Sequence, residues 1–316
     1  MAGIFGLFDY TKPGKGVDKD APEKHPFFLF FELLWRKKGQ LLLQNIIYFI
    51  ALIPIITFVY ANWFGLFSEW LANAGEEVHA PILQGLLLGT AVRFPSWLQI
   101  GLLAVSAILY GPVSCGFAYM LRNFVRQEKA WNTDFFDKFK QNFRQGLALG
   151  LVDLAVLYLL VFNISFPAVE GSETLFTVVR YLSILFLLIF LFMRNYLFVM
   201  AVTFKLKVRQ IIKNALIFSI VGLWRNLLAL LINVVLVVLV VFLFELVELA
   251  LVPLLLFSLT GFVTMFLCYP VVKKHMIDPL TAQAASETAE TPETSDTPDT
   301  PKSGTGDALK PSPSQL

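Results

Sequence analysis

Apolar runs of about twenty residues alternate along the chain with shorter segments rich in Lys, Arg, Asn and Gln. A helix rising 1.5 Å per residue needs roughly 18–20 apolar residues to cross about 30 Å of hydrocarbon. Six runs qualify: Leu41–Trp63, Trp97–Leu121, Gly146–Phe166, Phe176–Phe204, Asn226–Phe244 and Leu249–Val272. No alternating ten-residue strand pattern accompanies them, and a backbone in lipid must satisfy its own hydrogen bonds. The pattern therefore predicts an all-α, polytopic membrane fold of six transmembrane helices. The last two runs form one apolar stretch, about 70 Å long as a single helix and too long for one crossing. Glu245 and Glu248 lie midway with Pro253 soon after, which predicts a tight hairpin there. Pro54, Pro112 and Pro253 remove backbone donors within or beside these runs and predict helix kinks.

The segments between the runs differ in charge, and Lys and Arg favour the cytoplasmic side. Seven basic residues precede the first run, six lie before Gly146, five follow Phe204 and four follow Val272. Only Arg93 and Arg180 fall on the opposite side, where Glu69, Glu76, Glu77, Glu170, Glu173, Glu245 and Glu248 make the loops mildly acidic. The threading that fits is both termini cytoplasmic.

One of the basic segments, "TDFFDKFKQNFRQG", has a pattern of its own. Phe135, Phe139 and Phe143 recur every fourth residue beside Phe136, while Lys138, Lys140 and Arg144 take other positions. This is an amphipathic helix, with Thr133 or Asp134 available as N-cap. It suits a helix lying in the cytoplasmic headgroup plane and leading into the third span, its Phe stripe set on lipid or on the bundle. Similar aromatic or aliphatic stripes ending in basic residues precede the first span ("FFLFFELLWRKKGQLLLQN") and the fifth ("VRQIIKNALIFSIVGLWRN"). A polar residue follows each at nearly constant distance: Arg36 to Asn45, Arg144 to Asp153, Arg225 to Asn233. The chain thus reads as three weak copies of one unit, an amphipathic cytoplasmic lead-in helix plus two spans.

Ionisable groups at membrane depth are expensive, so each is a candidate site. Asp153 lies roughly 10 Å past Gly146 and Arg194 roughly 15 Å before the inner end of the fourth span, depths at which the two could pair. Asn45, Asn195 and Asn233 fall in the same band, with Pro112 and Ser114. One reading is a polar pocket open to the cytoplasm around an Asp153–Arg194 pair. The other is that Arg194 snorkels to the surface while Asp153 bonds a neighbouring helix.

Composition agrees with the class: 57% of the 316 residues are hydrophobic, 31 are Phe and only 15% are charged. Cys115 and Cys268 lie in apolar runs and read as small buried hydrophobes rather than a disulfide or metal site. The chain carries no HExxH, GxSxG or P-loop, and its His25, His79 and His275 are scattered. No catalytic residues, metal site or cofactor are expected, and no nucleic-acid partner; the expected partner is the lipid bilayer. From Thr281 onward, Thr, Ser, Pro, Glu and Asp dominate and predict a disordered acidic tail. The organisation is an N-terminal segment with an amphipathic helix (1–40), a six-helix domain (41–272) and a cytoplasmic tail (273–316).

Two blocks, "GKGVDKDAPEKHPFFLFFELLWRKKGQLLLQNIIYFIALIPI" and "GPVSCGFAYMLRNFVRQEKAWNTDFFDKFKQNFRQG", resemble the YesL-like family of small bacterial membrane proteins. The resemblance covers roughly residues 10–60 and 105–275; the long first outer loop and the acidic tail depart from it. It implies a multi-spanning protein of the bacterial plasma membrane, associated with sugar-uptake and polysaccharide-utilisation genes, and carries over no site residues. The expected function is thus non-enzymatic: an accessory or regulatory partner of carbohydrate uptake acting on sugar-transport subunits. The alternatives are a small-solute transporter or channel using the polar layer, and a membrane-shaping scaffold.

Overall fold

The computed structural model describes residues 25–73, 95–165, 172–243 and 252–289. Among them every element is helical and none is a strand. In chain order the helices are α1 Pro26–Asn73, α2 Ser96–Val125, α3 Asn132–Gln141, α4 Phe143–Ser165, α5 Glu173–Thr203, α6 Val208–Val221, α7 Leu223–Leu243, a π-helical turn Val252–Leu256, and α8 Phe257–Val272. Six helical stretches are long and apolar enough to cross a membrane. In α4, α5 and α7 only 17% of the apolar window is buried inside the protein, so most of its Leu, Val and Phe face outward. An apolar surface of that extent belongs in lipid, and the chain is a multi-pass membrane protein.

The spans pack in a cyclic pattern. Helices α2, α5 and α8 contact one another and form an inner group. Each outer helix bridges two of them: α1 packs on α2 and α8, α4 on α2 and α5, and α7 on α5 and α8. The amphipathic helices obey the same rule, each lying on the inner helix of the preceding unit: α3 on α2 and α6 on α5. The start of α1 completes the cycle through Phe30, whose ring lies 5.4 Å from that of Phe262 and 5.3 Å from that of Phe266 on α8.

The second and third units also share local geometry. Asp134 Oδ2 accepts the Trp131 N–H at 2.8 Å and Gln210 Oε1 accepts the Lys207 N–H at 2.9 Å, closing the first turns of α3 and α6. The N-cap of α3 is therefore Trp131, not Thr133 or Asp134; Asp134 serves better three residues in, where its carboxylate reaches back to an otherwise unpaired donor. Each amphipathic helix joins its span through one residue of matching conformation, Asn142 (φ −100°, ψ 15°) and Gly222 (φ −91°, ψ 16°). The first unit differs. Its lead-in segment and span are one continuous helix, because nothing between Pro26 and Pro54 breaks the hydrogen-bond ladder.

The closest packing is between α2 and α4. A Cβ on Gly150 would stand 2.6 Å from the Gly111 Cα, and one on Gly111 would collide with the Gly146 carbonyl. Glycines spaced by four on α4 thus let two backbones touch, the usual source of helix adhesion in lipid. Pro54 and Pro112 sit inside helices that run on through them, and Pro253 falls in the π-helical turn. Pro270 inside α8 is a further interior proline. The hairpin expected at Glu245 and Glu248 lies outside the described residues.

Apart from these three repeated units, a C-terminal part, Lys274–Leu316, is described as far as residue 289. Its helix, α9, spans Asp278–Ala289 and so extends beyond Thr281, where composition alone predicts disorder. Asp278 in the first turn and an Ala-rich sequence favour it.

Candidate functional site

In each unit a polar contact near mid-span ties the outer to the inner helix. Tyr48 and Ser114 hydroxyls lie 3.1 Å apart between α1 and α2, and Asn233 Nδ2 donates to Thr264 Oγ1 at 2.8 Å between α7 and α8. Between α4 and α5 the contact is ionic, with Arg194 Nε 2.8 Å from Asp153 Oδ1. Asp153 and Asn233 each stand eleven residues beyond the joints at Asn142 and Gly222, so the sequence repeat places them alike. Ser114, Arg194 and Thr264 lie roughly 12–16 Å from the C-terminal ends of their helices, near the middle of a 30 Å hydrocarbon layer.

The second unit's contact has a third member. Tyr110, one helical turn before Ser114, donates to Asp153 Oδ2 at 2.6 Å and accepts from Arg194 Nη2 at 2.7 Å. Arg194 Nε also donates to Oδ2 at 3.1 Å. Asp153 is completely buried, whereas about a third of the Arg194 side chain (31%) remains accessible. A carboxylate in such surroundings persists as an ion only when paired and hydrogen-bonded, and Arg194 and Tyr110 supply both conditions.

Arg194 faces a cavity of about 810 Å³. All six spans contribute to its wall and neither α3 nor α6 does, so it lies among the helices at the depth of the polar contacts. Tyr48, Tyr110, Ser114, Asn195, Asn233 and Thr264 line it together with a larger apolar surface. Arg194 is the one charged residue among the described residues that line it, Asp153 being set behind. An apolar chamber with a few convergent polar groups is the common form of a small-molecule site.

The expected polar layer is therefore only partly one site. Arg194, Asn195 and Asn233 line the cavity and Asp153 supports it, but Asn45 stands elsewhere. Asn45 Nδ2 donates to the Val252 carbonyl at 3.1 Å and its Oδ1 accepts the Ser258 N–H at 2.7 Å, securing the start of α8. Three residues further on, nearly one helical turn, Tyr48 takes the place in the ring.

Sequence patterns also passed over two buried clusters towards the Lys- and Arg-rich end. Asn226 Oδ1 accepts from Tyr196 at 2.9 Å and from Cys268 at 3.2 Å, while Nδ2 donates to the Ser219 carbonyl at 3.1 Å. This joins α5, α6, α7 and α8. Arg122, counted from the sequence as a loop cation, is 7% exposed and donates to Val202 O at 3.1 Å and Thr203 Oγ1 at 3.0 Å. It fastens the end of α2 to the end of α5.

The Phe stripe of α3 divides between two surroundings. Phe135 is 2% exposed and lies against Gly116, where a Cβ would meet its ring at 3.2 Å, whereas Phe136 is 50% exposed. Phe139 and Phe143 meet edge to face at 5.7 Å, half-buried. Lys138 sits 5.1 Å from the Tyr119 ring centroid, and Lys140 and Arg144 are exposed. Trp35, Trp131 and Trp224, next to the basic segments, are all more than 70% exposed, as interfacial anchors are. Cys115 and Cys268 are buried and free. Among the described residues no group of three or more His, Cys, Asp or Glu is placed to hold a metal.

Residues 91–164 match a family model described as "Protein of unknown function, DUF624". No curated protein and no solved structure matches the chain. The matched segment takes in α2, α3 and nearly all of α4, hence Tyr110, Ser114, Asp153 and the Phe stripe. Arg194, which completes the ion pair, lies beyond it.

Proposed function

We propose that this protein is a non-enzymatic, solute-binding membrane protein whose site is the cavity ringed by Tyr48, Ser114, Arg194, Asn233 and Thr264. The observation that carries the reading is the Asp153–Arg194–Tyr110 cluster set at mid-span on the cavity wall. Charge at that depth is retained mainly where it serves a pathway or a ligand. The distribution of Lys and Arg supports a threading with both termini cytoplasmic, which puts α3 and α6 on the inner surface. The same threading suits a bacterial plasma membrane. Purified protein in detergent, screened by thermal unfolding against small sugars, acids, amides and alcohols, tests the reading. Stabilisation by one chemical class supports it; a midpoint unmoved by every compound at millimolar concentration contradicts it.

A second reading rests on the likeness of the "FFLFFELLWRK" and "DFFDKFKQNFRQ" blocks to YesL-like proteins. In it the protein is an accessory partner of carbohydrate uptake, docking on sugar-transport subunits through its inner-surface helices. The exposed side of α3, with Phe136, Lys140 and Arg144, supports a docking role. Affinity purification from membranes that recovers transport subunits would support it, and their absence from the recovered proteins would count against it.

A further inference from the structure

The three polar contacts of the ring stand in equivalent places and do equivalent mechanical work, since each joins an outer span to its inner span. Neutral groups suffice in the first unit (Tyr48 with Ser114) and in the third (Asn233 with Thr264). Only the second carries charge. A buried ion pair holds helices together no better than a neutral contact, because desolvation offsets its attraction. Mechanical need therefore leaves the charge of Arg194 unexplained.

The guanidinium is also only partly used. Its Nε faces Asp153 and its Nη2 faces Tyr110, while Nη1 makes no hydrogen bond among the described residues, and about a third of the side chain (31%) stays accessible where it lines the cavity. An arginine carries five donors in a planar fork that fits a carboxylate. Asp153 is wholly buried behind it, so no acidic group competes from the cavity side among the described lining residues.

We propose that the cavity takes a small organic acid, its carboxylate seated on the Nη1 side of Arg194. This rests on the reading of the cavity as a solute site and adds the chemical class of the solute. Asp153 and Tyr110 act as positioning residues: they hold the fork edge-on so that its remaining donors point inward. The mostly apolar wall admits either a water-borne hydroxy acid or a short fatty acid drawn from the membrane, and the two are separable by experiment.

The test is titration calorimetry on the full chain in detergent with matched pairs that differ in the carboxylate: gluconate against glucitol, and octanoate against octanamide. The acid of one pair should bind at least tenfold tighter than its neutral partner. Arg194→Gln should abolish that preference and Arg194→Lys retain part of it. The gluconate pair succeeding identifies a soluble acid, the octanoate pair a membrane-derived one. Neutral compounds binding as tightly as their acids would overturn the carboxylate proposal and leave the solute site standing. Failure of all four to bind would overturn both. The comparison within wild-type protein decides the matter even where a variant fails to fold.

Discussion

Arg194 on α5 places its Nε 2.8 Å from Oδ1 of Asp153 on α4, and the position equivalent to Asp153 in the following unit, Asn233, meets a threonine instead. One chain thus contains the charged and the neutral version of the same helix-to-helix contact. The comparison separates what the contact does for folding from what the charge adds.

Removing both partners of the pair should cost less than the two single removals added together. Arg194→Gln leaves the Asp153 carboxylate buried with only the Tyr110 hydroxyl, an imbalance worth about 3–5 kcal/mol. Asp153→Asn is milder, because Arg194 retains access to the cavity. The Asp153→Asn/Arg194→Gln double variant should lose less folded protein than the two single losses summed. Monodisperse yield and unfolding midpoint in detergent measure it; strict additivity would remove the pairing.

The glycine contact between α2 and α4 predicts a sharp contrast between two nearby substitutions. Gly111→Ala drives a methyl into the Gly146 backbone and should prevent recovery of folded protein. Gly101→Ala, on the same helix, meets nothing within 4 Å and should be silent or slightly stabilising through better helix propensity. Equal thermal midpoints for the two variants would refute the packing described.

The two neighbouring phenylalanines of α3 should separate stability from surface binding. Phe135→Ala opens a cavity beneath the helix and should cost about 3–5 kcal/mol. Phe136→Ala touches a half-exposed ring and should leave the unfolding midpoint within about a degree of wild type. Circular dichroism melts of the two purified variants decide it.

Much of the architecture is legible in the sequence. The ends read for the second to fifth runs fall within a few residues of helix ends, because hydrocarbon thickness fixes a length that any apolar run must meet, whereas α1 extends from Pro26 to Asn73, well past both ends of Leu41–Trp63. The Arg36, Arg144 and Arg225 spacing anticipates the cyclic packing, and the depths of Asp153 and Arg194 anticipate their contact. Rotation about helix axes is not written in the pattern. Asn45 shares the depth of the ring but faces α8, and Tyr110 reads as an ordinary apolar-run aromatic until its neighbours are placed. Arg122 looks like one more loop cation because its acceptors, Val202 and Thr203, are about eighty residues away.

The threading predicts a pattern of chemical access. Native Cys115 and Cys268 are buried and should resist a membrane-impermeant thiol reagent in intact cells and in opened membranes. Cysteines placed at Lys129 and Lys205, beside the ends of α2 and α5, should react only once the membranes are opened. Labelling of either in intact cells would reverse the orientation.

The most direct measurement of the central claim is solute binding before and after the cavity is filled. Thr260 lines the cavity, and its hydroxyl returns to the preceding turn, to the Leu256 carbonyl at 2.8 Å and the Phe257 carbonyl at 3.2 Å, so Thr260→Phe occupies the space without breaking the ring. Titration of wild type and Thr260→Phe with the compound that stabilises wild type should show saturable binding in the first and none in the second, with similar unfolding midpoints. Undiminished binding by the filled variant would place the solute elsewhere and contradict the account.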